Sequence, residues 1–253
     1  MAWVYASDRE VDRSIMKLRI KYSKHGPVKY IGHLDVMRYF QKAVKRAGID
    51  IAYTEGFSPH PVMSFALPLG VGVTSEGEYM DIQVKSSLSS KESIDALNRV
   101  MTEGFAVSDY VLLPDDAKKG MTLVFAADYT ISVNEDSSFI VDKDIWEGIE
   151  KKFWMKSTEI QAVKKGKHGE TLMDIKPLIH FIKSEYNSDN PGSSFIQMRL
   201  AAGSRNNLKP ELVMEEGLKY FGIDFNRYDF NIHRRELLNE QMIPLKDLGE
   251  VIE

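Results

Sequence analysis

The chain has 253 residues, 43% hydrophobic and 28% charged, with a net charge of −4, so it is long enough to bury a core and is not a polycation. It has no cysteine, which excludes disulfides, thiolate zinc sites, cysteine nucleophiles and an ordinary protein-ligated iron–sulfur cluster. The opening MAWVYASDREVDRSIMK lacks a basic start before a long apolar run, and nowhere do ~18 apolar residues run uninterrupted, so the expectation is a cytoplasmic chain without signal peptide or membrane span.

Residues 1–16 are poorly patterned and are expected to form an N-terminal extension. From Lys17 to Lys24, Leu18, Ile20 and Tyr22 alternate with Arg19, Lys21 and Ser23, which predicts a half-buried strand with a basic outer face. His25-Gly26-Pro27 breaks it. A helix follows, with Leu34, Met37, Phe40 or Gln41, and Val44 at three-to-four spacing and Gly48 at its end. IDIAYTEG, PVMSFALPLGVG and EGEYMDIQVKS read as extended. SSKESIDALNRVM reads as a helix capped by Ser89 or Ser90, and FAVSDYVLLP as a strand ended by Pro114. Strand, helix, two strands, helix, strand is the ferredoxin-like order for residues 17–114.

Residues 115–122, of mixed charge and containing Gly120, read as a linker. The same order recurs over 123–238. LVFAADYTISV is a strand, and FIVDKDIWEGIEKKFWM a helix burying Ile145, Ile149 and Phe153. TEIQAVKK and ETLMDIKPLIHFIKSE form a hairpin, SFIQMRLAAG a strand, KPELVMEEGLKYFG a helix and FNRYDFNIHRREL a last strand. Residues 239–253 are read as a C-terminal tail. The expected fold is α+β: two ferredoxin-like (βαββαβ) units side by side, with antiparallel sheets and helices on one face. One larger α+β sheet is the alternative.

On the first helix Arg38, Lys42 and Lys45 share one face, with Arg46 beside it and Lys29 and Arg19 on the approach; a row of cations at this spacing suits nucleic-acid phosphates. In Gly56-Phe57-Ser58-Pro59-His60-Pro61 two prolines hold His60 rigidly, Ser58 has no obvious packing role, and Phe57 is placed to stack on a base. Lys164, Lys165, Lys167 and His168 form a basic hairpin tip, and Arg205 stands in a polar stretch before the last helix. His33 and His60 are the candidate general bases, with Lys42 the candidate charge stabiliser. No HxH, HExxH or two-His-one-carboxylate spacing occurs and no phosphate-loop glycine pattern, so no metal and no cofactor is expected.

LRIKYSKHGPVKYIGHLDVMRYFQKAVKRAGI and AYTEGFSPHPVMSFALPLGVGVTSEGEYMDI resemble the bacterial radical-SAM-linked protein family, a domain of unknown function; MDIKPLI and HRREL extend the likeness into the second half. The resemblance implies occurrence beside, or fused to, a cobalamin-type radical SAM protein, near ribonuclease and ribosomal-protein genes. With no cysteine to hold a cluster, the chain is expected to be that enzyme's companion, presenting an RNA or ribosomal substrate. Paired ferredoxin-like units are also similar to CRISPR repeat-processing endoribonucleases, which makes metal-independent RNA cleavage one alternative. Docking of the basic face on the radical SAM partner itself, as a scaffold, is the other.

Overall fold

The computed structural model describes residues 15–166 and 169–253, a mixed α+β fold of mostly antiparallel strands and few helices. Two compact units divide it: the described residues up to Val124 together with Glu236–Glu253, and Phe125–Arg235. Among the described residues no helix is long and apolar enough to cross a membrane. The first 14 residues, the bulk of the expected extension, lie outside the described ones.

The first unit is built from β1 (Met16–Lys24), α1 (His33–Arg46), β2 (Met63–Phe65), β3 (Thr74–Val84), α2 (Ser90–Val100) and β4 (Phe105–Leu113), followed by the short α3 (Gly120–Leu123). The strands lie in the order β4-β1-β3-β2 with antiparallel pairing throughout, Leu18 facing Ile82 and Leu112, and Phe65 facing Met80. Side chains alternate across a strand, so Leu18, Ile20 and Tyr22 meet Met80, Ile82 and Val84 on one face, where Val36, Phe40 and Val44 of α1 and Leu97 of α2 cover them. Tyr22 and Phe40 stand 4.5 Å apart in tilted contact.

The inward stripe of α1 is Val36, Phe40, Ala43 and Val44, the i, i+4, i+7, i+8 set of one helical face. Leu34, expected in that stripe, is 61% exposed. Two residues before Val36 turn it by about 200° to the other side. Extended chain flanks β2 only through isolated bridges, Ile51 with Val84 and Tyr53 with Pro61, so much of the expected strand over 61–72 is loop. α2 begins with a full capping box, in which the Ser89 side chain accepts from the Glu92 amide and the Glu92 carboxylate accepts in return.

The second unit contains β5 (Ala126–Val133), α4 (Lys143–Gly148) continued by one π-helical segment, Ile149–Trp154, then β6 (Gln161–Gly166), β7 (Gly169–Asp174), β8 (Ile179–Glu185), β9 (Phe195–Ala201), α5 (Pro210–Tyr220) and the start of β10 (Phe230–Leu238). Its main strands run β10-β5-β9-β8. β6 and β7 pair only with each other. The long second arm expected for this hairpin is broken at Lys176–Leu178 by a 3-10 turn, because Pro177 lacks the amide a ladder needs, and the chain resumes as β8 against β9. Trp146, Ile149 and Phe153 bury one side of the α4 region, and Ile145 is only partly covered.

From Glu236 the chain returns to the first unit. Residues 239–253, expected as a tail, carry a 3-10 turn at Leu245–Leu248 and then β11 (Glu250–Val251), which pairs with β4. Leu245 is wholly buried and Ile252 joins the first unit's core.

Candidate nucleic-acid interface

β1 shows first where the expected basic surface fails. Arg19 is only 1% exposed. Its Nε donates to Asp81 Oδ1 at 2.8 Å and its Nη2 to Asp81 Oδ2 at 3.0 Å, while Nη1 donates to the Leu245 carbonyl at 3.1 Å. Residues 118 and 245 close over the strand face that alternation alone leaves open. On the same face Lys21 pairs with Glu236 at 2.7 Å, and the Tyr79 hydroxyl donates to the other oxygen of that carboxylate at 2.6 Å. Burial, then the Glu236 charge, raises the Tyr79 pKa well above the ordinary tyrosine value. Arg19 is therefore an interior ion-pair residue and not a phosphate contact.

Lys29 is half-buried, with its ammonium 5.2 Å from the Tyr30 ring centroid. The outward side of α1 keeps the expected cations. Arg38, Lys42, Lys45 and Arg46 are exposed. Arg38 pairs with Asp35 at 3.5 Å, and Arg46 reaches the Val100 carbonyl at 3.4 Å. Lys42 and Lys45 have no ion-pair partner among the described residues. At i, i+4 and i+7, Arg38, Lys42 and Lys45 form a ridge with about 5–6 Å between neighbouring Cβ atoms.

The Gly56–Pro61 loop is the tip of a narrow hairpin that leaves the β3 edge at Gln83, where the Ala52 amide donates to the Gln83 carbonyl and the Gln83 amide to Val62. Gly56 adopts φ +106, the left-handed bend that turns the tip. Phe57 is fully exposed, and Ser58 is exposed beside it. The His60 amide donates to Thr54 Oγ1 at 3.2 Å, and His60 Nδ1 lies 3.1 Å from the same oxygen and 3.3 Å from the Ser58 carbonyl. Nδ1 is thus engaged inside the loop while the ring itself is exposed.

His33 sits elsewhere. Its ring stands edge-on to Phe65, 5.4 Å between centroids, beside a cavity of about 10 Å³ that is also lined by Tyr22 and Lys24. That space holds at most about one water. Phe65 pairs with Met80, three residues along β3 from Gln83, or about 10 Å of strand, and no contact among the described residues joins His33 to His60. Among the described residues no group of three or more His, Asp or Glu is placed to hold a metal ion.

In the second unit Lys164 is exposed on β6, and its Nζ approaches the Asn207 carbonyl at 3.5 Å, which brings it to the loop that carries the exposed Arg205. Lys165 lies in β6; Lys167 and His168 lie outside the described residues. Exposed Tyr30 and Leu34 flank the start of α1, and Leu34 was expected in the buried stripe. The angular offset of Leu34 from Val36 is the signal that finds it.

No curated protein matches the chain. The model of the family described as an uncharacterized protein conserved in bacteria, DUF2344, matches residues 17–210, from β1 to the first residue of α5, and the chain belongs to that family.

Proposed function

We propose that the chain is a non-catalytic accessory protein that binds RNA or a ribonucleoprotein through the outward face of α1. The carrying observation is the ridge of Arg38, Lys42 and Lys45, exposed, with both lysines free of ion-pair partners among the described residues. Cations left unpaired on a rigid helix retain their full charge for phosphate. The exposed Phe57 adds an aromatic face of the kind that stacks on an unpaired base.

Each unit is read as ferredoxin-like. The orders β4-β1-β3-β2 and β10-β5-β9-β8 support this, with a helix after the first and third strand of each set and β6–β7 as an insertion in the second. The partnership with a radical SAM enzyme rests on the sequence resemblance and on the absence of cysteine.

The test is binding of structured bacterial RNA by fluorescence anisotropy across a salt series. Affinity is expected to fall steeply with salt. Lys42→Glu with Lys45→Glu is expected to weaken it by more than about tenfold. Undiminished binding by that variant overturns the reading. Cleaved RNA ending in a 2′,3′-cyclic phosphate would favour the endoribonuclease alternative, and co-purification with the radical SAM protein that survives nuclease would favour the scaffold.

A further inference from the structure

A cavity of about 220 Å³ lies at the β2–β3 margin of the first unit, roofed by residues 117–119. Val62 and Leu113, on the same sheet face as Asp81, supply apolar lining, Met63 and Ile82 border it with their side chains turned to the core face, and Lys17, Lys118 and Lys119 also line it. No residue of α1 contributes to it, so it is separate from the basic ridge.

The only carboxylate in the lining is Asp81, and its charge is already engaged. Oδ1 accepts from Arg19 Nε at 2.8 Å, and Oδ2 accepts from Arg19 Nη2 at 3.0 Å and from the Gly120 amide at 2.6 Å. Lys17 donates to the Asp115 carbonyl, a neutral partner. The ammonium groups of Lys118 and Lys119 have no partner among the described residues. Uncompensated cations around an apolar floor complement an anion that has an apolar body. The volume is that of about seven waters, room for a body of roughly one ring. A nucleic-acid strand does not fit such a space.

We propose that this cavity binds a small organic anion, with an apolar one-ring body over Val62 and Leu113 and a carboxylate or phosphate head held by Lys118 and Lys119. Residues 117–119, part of the stretch read as a linker, become the wall of the site because the Lys118 carbonyl and the Gly120 amide are tied to the Arg19–Asp81 pair.

The test uses the full chain with isotope-labelled valine methyls, the Val62 signal being assigned with Val62→Ile. Phenyl phosphate and benzoate are titrated as probes, with benzyl alcohol as the body without a charge and inorganic phosphate as the head without a body. A saturable shift of Val62 at millimolar phenyl phosphate or benzoate is expected, with weaker binding of both controls. The stronger of the two probes identifies the head as phosphate or carboxylate. Lys118→Ala with Lys119→Ala removes exposed side chains and is expected to weaken binding about three- to tenfold. Ser64→Phe, which fills the cavity, is expected to abolish it. No saturable Val62 shift, equal binding of benzyl alcohol, or unchanged affinity in the double lysine variant overturns the proposal. Lys42→Glu with Lys45→Glu is expected to leave this binding intact, so its failure is distinguishable from failure of the RNA reading.

Discussion

Arg19 commits three nitrogens of its guanidinium to a carboxylate and two backbone carbonyls, so its removal strands Asp81 in the interior. Arg19→Ala is expected to cost about 3–5 kcal/mol, read as a lower urea midpoint at constant slope. Arg19→Lys should recover little of this, because one ammonium does not replace a bidentate fork. His180 is the second residue whose burial has a measurable consequence. It lies at the register irregularity between Ile179 and Phe181, and its Nε2 has no hydrogen-bond partner among the described residues. Burial, followed by the nearby Arg199 charge, lowers its pKa below the ordinary histidine value. The unfolded chain takes up this proton near ~6.5 and the folded chain resists it. The contribution to stability is therefore full above that pH and is lost as pH falls through the depressed folded value. Unfolding midpoints at about pH 7 and about pH 5 should differ less in His180→Phe than in the parent chain. An equal difference would mean that other groups carry the dependence. At this scale the sequence was a fair guide to Lys42, Lys45 and Phe57, which are surface positions of local motifs. It misjudged Arg19, because a cation alternating with apolar residues looks the same whether solvent or another segment covers that face.

The elements form where local chemistry places them. α2 starts at its capping box, and Ser89→Ala is expected to destabilise the chain by about 1 kcal/mol in a denaturant titration. α1 is held by its inward stripe, so changes on its outer ridge should separate binding from folding. Lys42→Glu with Lys45→Glu should leave stability within about 0.5 kcal/mol of the parent. The same variant should reduce the slope of log affinity against log salt by about two if both lysines contact phosphate. A loss of stability comparable to the loss of binding would instead place these side chains in packing. The β6–β7 hairpin marks the limit of local reading. Its turn chemistry is visible in Gly166 and Gly169, but no alternation pattern states that its strands pair only with each other.

Across the whole molecule, the first unit is completed by residues more than a hundred positions away in sequence. Glu236 supplies the carboxylate for Lys21 and Tyr79, Leu245 covers Arg19, and Ile252 enters the core. A fragment that stops at Val124 loses all of these, leaving Lys21 and the Tyr79 hydroxyl without their shared partner. Such a fragment is expected to show weak amide protection in β1 and β4 compared with the full chain, as followed by hydrogen exchange. Protection equal to the full chain would show the return segment to be dispensable. Leu245→Ala in the full chain should cost about 2–5 kcal/mol, since the side chain is wholly buried. By itself the sequence determined the α+β class, the position of α1 and α2, the strand core faces and the absence of cysteine chemistry, because periodicity, capping and composition act over a few residues. Only the tertiary structure decided that β1 is covered on both faces, that residues 117–119 line a cavity beside the Arg19–Asp81 pair and that the last residues are part of the first unit. Those outcomes depend on which distant segments meet, and the free energy of such contacts comes from burial and charge pairing that no local pattern records.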